Sequence, residues 1–440
     1  MLRTAILALL LFSTQDPAPL KAGFAEFDVS PAPGTRKIGS NNKLFGTTVL
    51  DPLYTRAAAF ECGEGRVGFI GLDLLFVHRD QVAEIRRRIQ EKTGVPGDAI
   101  LIGATHNHAG PAIETDLYPK DDAYIAMMIE KSVAAFVQAW EGRQVAELGA
   151  GSVAEFHAGY NRRVIYRNGY SKCHGSFKDP AALMFEGPVD PEVAVLAARG
   201  KDGKLLGSIV NFACHPCHHG GDQTFTAGYP GQLAKAMKEK GCPATLFLQG
   251  AGGNIHHADP TGGKEKSMEE TGQLLADDVE KVLKGMKYRA TAKLASASKT
   301  LDLPYRTVSD DEVNGRIPGI QRFGEPGFYD KTADQVLEEI KREGKAKAEV
   351  QAVFLDEIVY VAIPAEYFVQ HGLRIKEQTH PFRTRVAGYA DGMVGYVPTK
   401  DAFPRGGYET TFGYRSKLAP EAGDLLADAA IELVRSRRGQ

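Results

Sequence analysis

The pattern of apolar and polar residues predicts strands that alternate with amphipathic helices. Apolar runs of strand length cover residues 66–72, 99–104, 206–212 and 244–248. Apolar residues at helical spacing cover 79–92, 121–140, 268–283, 333–342 and 420–435, and Gly94 is the predicted stop of the first helix. Residues 351–363 predict a hairpin, because Asp356 and Glu357 split two apolar segments. This alternation predicts an α/β fold, a mixed β-sheet core with flanking helices.

The rest of the chain changes this picture little. Residues 307–331 are rich in Gly, Asp and Pro, which predicts a long surface loop or an insertion. We find no internal repeat and no low-complexity linker. The simplest interpretation is therefore one compact catalytic unit over residues 18–440.

The N-terminus has the layout of a secretory signal peptide. Arg3 precedes an apolar run over residues 5–12, and small and polar residues follow. That run is too short to span a bilayer, which needs about 20 apolar residues. We therefore expect residues 1–17 to direct export, to the periplasm or the medium, and we expect no transmembrane segment later in the chain.

Composition excludes some classes of partner and framework. The hydrophobic fraction is 43%, the charged fraction 25% and the formal net charge -2, which is ordinary for a globular protein. No Lys/Arg stripe with interleaved aromatics is present, so we expect no nucleic-acid partner. The 5 cysteines are too few and too scattered for a disulfide framework, although one bridge stays open.

The clearest local signal for chemistry is the segment Thr-His-Asn-His-Ala-Gly-Pro, which begins at Thr105, directly after a predicted strand. If the chain stays extended there, His106 and His108 point to the same face. Two imidazoles on one face can share a metal, or one can bind the metal while the other acts as acid and base. The alternative is a pair of hydrogen-bonded structural histidines.

A second histidine follows another predicted strand. Pro216 disfavours a helix at His215, so His215 should lie in extended chain. Ends of strands that carry histidines suit a shared cleft in an α/β fold. Cys214 and Cys217 flank His215, but a structural zinc site needs four ligands and the chain has no second Cys-x-x-Cys. We therefore expect both thiols to pack, or to pair with each other.

Three further segments are informative only in combination. A Gly-rich turn from Gln249 to Asn254 either presents backbone N–H groups to an oxyanion or is a tight connection. Glu366 follows the predicted strand at 358–363, and Tyr396 and Tyr408 lie in a stretch rich in Gly and Tyr. Alone, each would be an ordinary surface or core residue.

Together these segments resemble the neutral, non-lysosomal ceramidase family, in its N-terminal catalytic domain. The resemblance runs in order from GFAEFDVSP at Gly23 to Tyr408-Glu409, through THNHAGP, Asn161-Arg162, ACHP, PAEY and GYVPT. It implies a ceramidase-like fold with a Zn²⁺ centre made of two His, one Glu and one Tyr. At the matching positions, the implied zinc ligands are His106, His215, Glu366 and Tyr396.

The resemblance also implies catalytic roles. His108 matches the family's catalytic His beside the metal, and Tyr408 matches the Tyr that polarises the scissile carbonyl. Arg162 matches an Arg of the active site. The implied reaction is hydrolysis of the amide bond of ceramide or a related N-acyl compound, with peripheral membrane contact if the substrate is a lipid.

Two departures leave the substrate open. Gln249 is followed by Gly-Ala-Gly-Gly-Asn where the family has Ser-Asn-x-Gly-Asp, and Arg163-Val164 replaces the family's Ser-Pro. One alternative is a zinc hydrolase on the same scaffold that acts on a carbohydrate derivative or an ester. Another is a non-catalytic metal-binding surface protein, against which the retained His108 and Tyr408 count.

Overall fold

The structure is a computed structural model that describes residues 18–40, 42–113, 120–324 and 327–437. The predicted signal peptide, residues 1–17, lies outside these ranges. The helices are α1 Arg79–Thr93, α2 Asp122–Glu141, α3 Gly228–Glu239, α4 Met268–Lys284, α5 Asp310–Val313, α6 Phe328–Glu343, α7 Val369–Gln378 and α8 Ala422–Arg435. None of the helices in this part of the chain is both long enough and apolar enough to cross a membrane.

The strands differ in length, and the longest ones lie in the two core sheets. In the first half of the chain they are β1 Lys21–Asp28, β2 Thr48–Val49, β3 Tyr54–Cys62, β4 Gly65–Leu72, β5 Ile100–Ala104, β6 Gln144–Ala154, β7 Tyr160–Asn161, β8 Arg163–Tyr166, β9 Ser171–Cys173, β10 Ala182–Phe185, β11 Glu192–Gly200 and β12 Leu205–Phe212. In the second half they are β13 Thr224–Phe225, β14 Thr245–Gln249, β15 Ile255–His256, β16 Tyr288–Arg289, β17 Leu294–Pro304, β18 Lys345–Leu355, β19 Ile358–Ala362, β20 Glu366–Tyr367, β21 Arg383–Ala387 and β22 Tyr396–Val397.

Two sheets build the core. The larger sheet has the order β14-β12-β11-β6-β1-β3-β4-β5, with β16 beside β6, and the smaller has the order β17-β18-β19-β21. Most neighbouring strands are antiparallel, whereas β12–β14, β4–β5 and β19–β21 are parallel. The predicted α/β fold with a mixed sheet is therefore confirmed.

The larger sheet folds back on itself. Strands β1 and β6 share only the pairs Lys21–Val145 and Ala22–Gln144, so the sheet bends at this junction. The two halves then face each other closely: a Cβ on Gly71 would lie 3.2 Å from the Phe247 carbonyl oxygen. This fold brings the ends of β5, β12 and β14 together.

Side-chain alternation explains why the central strands are apolar on both faces. On β11, Leu196 and Ala198 join the core between the two halves, where the smaller sheet adds Val353 and Tyr360. The other face of the same strand packs against α3 and α4 through residues such as Val195. Helices α1 and α2 cover the outer face of the half that contains β1, β3, β4 and β5.

The structure confirms the predicted strands and helices to within a few residues, with one helix longer than predicted. Gly94 stops α1 in the left-handed region, as expected, with φ 71°. Helix α6 begins at Phe328, before the predicted start at residue 333. Residues 307–331, predicted to be a long surface loop or an insertion, contain α5 and the first turn of α6, so the loop alternative is wrong in part. Ser309 caps α5 by accepting from Glu312 N, a local signal that the loop interpretation overlooked.

Candidate metal centre

The side chain of Gln249 holds three strand ends together at the candidate site. Its Nε2 donates to Thr105 O, after β5, at 3.1 Å and to Cys214 O, after β12, at 2.7 Å. Its Oε1 accepts from Cys214 N at 2.9 Å. Because Gln249 ends β14, one buried amide fixes the segments that carry His106 and His215 relative to each other.

The backbone of His106 itself adopts a left-handed conformation. Its φ is 64°, so the chain is not extended at His106, and the condition for the two side chains to alternate as on a strand is not met. A bulky residue takes this conformation rarely, and usually where its surroundings demand it. Here Nδ1 faces Leu75 O at 3.1 Å, and the ring stacks on Tyr389 with centroids 4.0 Å apart. These contacts fix the direction in which Nε2 points.

His215 is held by the Gly-rich turn. Its Nδ1 faces Gly252 O at 2.7 Å and Ile255 O at 3.0 Å. Within the turn, Gly250 N and Gly253 N donate to backbone carbonyls at 2.8 Å. The turn is therefore a tight connection that presents carbonyl groups to a histidine, and these two N–H groups are not directed at an oxyanion.

Glu366 completes a close group of three side chains. Its Oε2 lies 3.3 Å from His106 Nε2 and 3.4 Å from His215 Nε2. Glu366 also pairs with Tyr396 across β20 and β22, which places the fourth predicted ligand in the adjacent strand. The structure thus brings together four residues that are spread over most of the chain.

The donor set fits a tetrahedral metal ion. A carbonyl oxygen only accepts, so Nδ1 of His106 and of His215 carries the proton and each Nε2 presents a lone pair. His215 Nε2 and Glu366 Oε2 are buried and lack a hydrogen-bond partner among the described residues. A zinc tetrahedron with bonds of about 2.0–2.1 Å has edges of about 3.3–3.4 Å, which the His106–Glu366 and His215–Glu366 spacings match.

His108 lies beside this group with the same tautomer. Its Nδ1 faces Gly39 O at 2.8 Å, so its Nε2 also presents a lone pair, 3.1 Å from His106 Nε2. Two such lone pairs repel, which a nearby cation would relieve. The ligand atoms of His106, His108 and His215 all lie within 4.8 Å of one another. Distances alone therefore do not separate metal ligand from catalytic residue.

The electrostatics of the group suit a cation. Burial lowers the pKa of His108 well below its usual value, and His106 and His215 act in the same direction. Burial likewise lowers the pKa of His215 to about 3. Burial alone would raise the pKa of Glu366, but His106 and His215 hold it well below its usual range. At neutral pH the site therefore offers the neutral imidazoles of His108 and His215 and the carboxylate of Glu366.

Arg162 and Glu409 form a buried network beneath Tyr396. Arg162 donates from Nε to Glu409 Oε1 at 2.8 Å, and from Nη2 to Tyr396 Oη at 3.0 Å and Gly253 O at 2.9 Å. Arg163 supplies a second guanidinium to Glu409, at 2.5 Å. Burial would raise the pKa of Glu409, but Arg163 and Arg162 lower it to about 2. The network fixes the position of the Tyr396 hydroxyl through the hydrogen bond from Arg162 Nη2.

A pocket of about 410 Å³ opens on these residues. The three predicted catalytic residues, His108, Arg162 and Tyr408, all line it, as does Tyr396. Its other described lining residues are Gly39, Ser40, Asn42, His174, Cys217, Gly220, Gly221, His256, Phe323 and Gly324. Phe323 is the one large side chain without a polar atom among these described residues, and the lining presents polar and apolar surface in comparable amounts.

All 5 cysteines lie in the described ranges, and each is a free thiol. Cys214 Sγ donates to Ala158 O at 3.2 Å, and burial raises the pKa of this thiol well above its usual value. Burial raises the pKa of Cys217 to about 12. Both side chains are therefore protonated at neutral pH and poor metal ligands.

Replacing both Cys214 and Cys217 with serine should leave the zinc content close to one ion per chain. A serine hydroxyl at 214 keeps a donor for Ala158 O, and neither thiol belongs to the close group of nitrogen and carboxylate ligands. Metal analysis of the purified, folded variant beside the wild type checks this. A fall to half or less would show that a thiolate binds the metal.

Comparison with known proteins supports the fold. The chain is similar to two solved structures, a ceramidase complexed with C2 and the neutral ceramidase from Pseudomonas aeruginosa. Both have a TM-score of 0.73, cover 96% of this chain and are themselves covered over 75% of their length, at 16% and 18% identity. No protein-family model matches the chain, and neither does any curated protein. The predicted neutral-ceramidase-like fold is confirmed.

Sequence analysis missed several residues that build the site. Tyr389 holds His106 in place, while His174 and His256 line the pocket. Lys37 is buried and donates from Nζ to three carbonyls of residues 219–224, beside His108. A buried lysine or a lone histidine carries no motif, so nothing in the sequence separates these residues from ordinary ones.

Proposed function

We propose that the protein is a zinc-dependent hydrolase that cleaves the amide bond of ceramide or a related N-acyl compound. The observation that carries this proposal is the convergence of His106, His215 and Glu366 at the spacing of a zinc tetrahedron. The fold likeness to ceramidases supports it. The pocket beside these residues gives a substrate access to the same point.

In this proposal His106, His215, Glu366 and Tyr396 hold Zn²⁺. When bound, zinc supplies Lewis acidity, which lowers the pKa of water to about 7 and polarises a carbonyl. Arg162 orients the fourth ligand, because its Nη2 donates to Tyr396 Oη. The backbone carbonyls that accept from Nδ1 of each histidine keep Nε2 free for the metal.

His108 is the proposed general base and acid. Its Nε2 lone pair faces the group of ligands, and Gly39 O fixes the ring through Nδ1. It accepts a proton at Nε2 from the attacking water and later donates that proton to the leaving amine. The hydrogen bond from Nδ1 to Gly39 O suits both steps, because it keeps the ring in place while Nε2 changes its protonation state.

Tyr408 is the proposed donor to the developing oxyanion. It lines the pocket, and its ring centroid lies 5.6 Å from that of Tyr396. Burial raises the pKa of Tyr408 well above its usual value, so the phenol keeps its proton. A neutral donor aimed at a carbonyl oxygen gains strength as negative charge develops on that oxygen.

A specific observation favours a second candidate substrate class. An acyl chain gains about 0.8 kcal/mol for each CH₂ that it buries in apolar surroundings. The described lining offers Phe323 and the faces of other aromatic rings for this, but also several imidazole, phenol, amide and hydroxyl groups. The same catalytic set would therefore serve a more polar substrate, such as a carbohydrate derivative or an ester.

Turnover measurements separate these two candidates. The zinc-loaded protein is tested on a long-chain ceramide in detergent, and in parallel on soluble amides, esters and glycosides. Cleavage of ceramide at a rate comparable with the best soluble compound supports the lipid substrate. Activity on soluble compounds alone would end the ceramidase assignment and leave the zinc hydrolase in place, whereas no activity anywhere would contradict both.

Replacing Tyr408 with phenylalanine should lower kcat and kcat/KM together by about 10²–10³-fold, the usual effect of losing one oxyanion donor. KM should barely change, because the hydroxyl acts mainly in the transition state. Steady-state kinetics on the best substrate checks this, with Tyr160→Phe as a matched control. A rise in KM at unchanged kcat would show that Tyr408 binds the ground state instead.

We further propose that the protein is exported. Residues 1–17 carry the pattern that supports this, Arg3 followed by the apolar run over residues 5–12. N-terminal sequencing of protein recovered from outside the cytoplasm should find the leader removed. Recovery of protein that still begins at Met1, and only from the cytoplasm, would contradict export.

A further inference from the structure

Two histidines outside the proposed mechanism line the same pocket. His174 follows β9, and His256 ends β15, directly after the turn that holds His215. Their rings meet edge to face with centroids 4.6 Å apart, and both border the pocket together with Arg162. Together, His174, His256 and Arg162 form one wall of the pocket, and a substrate bound at the proposed metal centre would contact this wall.

One hydrogen bond determines which ring nitrogen of His256 can donate to a ligand. Its Nδ1 accepts from Ala258 N at 2.9 Å, so the neutral ring carries its proton on Nε2. The residue is only 6% exposed, yet it lines the pocket. No acceptor among the described residues reaches this Nε2. His256 is therefore a buried donor whose partner must come from the pocket.

Arg162 adds a cationic donor to this wall. Its Nε and Nη2 are occupied by Glu409, Gly253 and Tyr396. Its Nη1 makes no hydrogen bond within the described part of the chain, although the residue lines the pocket. The remaining N–H groups of the guanidinium are thus available to a ligand, as is the N–H of His256.

The surroundings of His256 favour a negative ligand. The groups with the largest electrostatic effect on it are His257, His174, Arg162 and His215, each neutral or cationic. Guanidinium and imidazole N–H groups together suit a carboxylate, which accepts at two oxygens. A dianion such as phosphate would need more positive charge, because Glu409 already neutralises much of the charge of Arg162.

We propose that Arg162, His174 and His256 form a subsite for a carboxylate that the substrate carries near its scissile amide. The preferred substrates are then N-acyl amino acids, with the acyl carbonyl at the metal centre and the amino-acid carboxylate at this wall. This inference rests on the proposed hydrolase function and names its substrate class.

A matched pair of substrates tests the subsite. N-octanoylglycine and N-octanoylethanolamine share the acyl chain and the amide, and differ in a carboxylate against a hydroxyl. The wild-type protein should show kcat/KM at least about tenfold higher for the glycine conjugate, the scale of charge-assisted hydrogen bonds. Release of the free amine measures both reactions.

Two variants replace the histidines of this wall with little disturbance of the fold. In His256→Asn, the amide oxygen can still accept from Ala258 N while the Nε2 donor is lost. His174→Asn suits the left-handed backbone at this position, where φ is 54°. Each should lower the preference for the glycine conjugate about tenfold and leave cleavage of the ethanolamide within about twofold. The control is His157→Asn, on a side chain that is 76% exposed.

Other outcomes would overturn the subsite. Equal kcat/KM values for the two compounds in the wild type, or a proportional loss of both in the variants, would show that the wall binds no carboxylate. Cleavage of ceramide without cleavage of either soluble amide would also overturn it and leave the hydrolase proposal standing. No cleavage of any compound by zinc-loaded protein would contradict the proposed function itself.

Equilibrium binding provides a readout independent of turnover. In the slow His108→Ala background, calorimetry should show tighter binding of N-octanoylglycine than of the ethanolamide. Adding His256→Asn should remove that difference. Equal affinities before this second substitution would overturn the subsite.

Discussion

His106→Ala should abolish both zinc binding and hydrolysis. The imidazole supplies a lone pair 3.3 Å from Glu366 Oε2, and its loss leaves a buried carboxylate and His215 to hold the ion. Two such ligands and Tyr396 no longer enclose the metal. Metal analysis after dialysis should find close to one zinc per chain in the wild type and almost none in the variant. Activity should then fall to that of chelator-treated wild-type protein.

The interpretation of this variant requires a matched histidine and a test of folding. His157→Ala removes an exposed imidazole and should change neither zinc content nor activity. Circular dichroism should show that His106→Ala keeps the secondary structure of the wild type. Full zinc retention by a folded His106→Ala protein would show that His106 is not a ligand.

His108→Ala should separate catalysis from metal binding. We expect zinc content near that of the wild type and a fall in kcat of roughly 10²–10⁴-fold, the scale of general acid–base help. The reason is that, in the proposed centre, His106, His215, Glu366 and Tyr396 supply four ligands without His108. Parallel metal analysis and kinetics on one preparation give both quantities.

The short distance between His108 and His106 makes the His108→Ala variant a decisive test. The Nε2 atoms of His108 and His106 lie 3.1 Å apart, and His108 belongs to the same close group of potential ligands. Equal zinc loss in His106→Ala and His108→Ala would therefore overturn the division of roles. It would instead favour a centre in which three histidines bind the ion.

The fold could be predicted where local pattern decides it. Buried strands such as β4, β5 and β14 are short apolar runs, and α1 ends at a glycine in the left-handed region. The hairpin of β18 and β19 turns at Asp356, as the two polar residues indicated. These features depend on neighbours in sequence, so the sequence contains enough information to place them.

Other features depend on contacts distant in sequence. His106 takes a positive φ because Leu75 and Tyr389 hold its ring, and neither contact is visible in the local pattern. Likewise, the sequence of the Gly-rich turn is equally consistent with binding an oxyanion and with forming a tight connection. Only the position of the turn next to His215 shows that a carbonyl group of the turn accepts a hydrogen bond from this histidine.

The candidate site divides in the same way. Short motifs singled out His106, His108 and His215, and the family resemblance added Glu366 and Tyr396. The bent sheet and the amide of Gln249 explain why residues so far apart in sequence meet. His174 and His256 had no motif, because their significance comes from a pocket that the sequence does not show.

The central claim is that one zinc ion binds between His106, His215 and Glu366. An anomalous difference map at the zinc edge, from a crystal of the zinc-loaded protein, tests it directly. We predict one strong peak at about 2.0–2.2 Å from His106 Nε2, His215 Nε2 and Glu366 Oε2, the usual range of zinc bonds to nitrogen and oxygen. A peak held by other side chains, or no peak at this group in zinc-loaded crystals, would contradict the account.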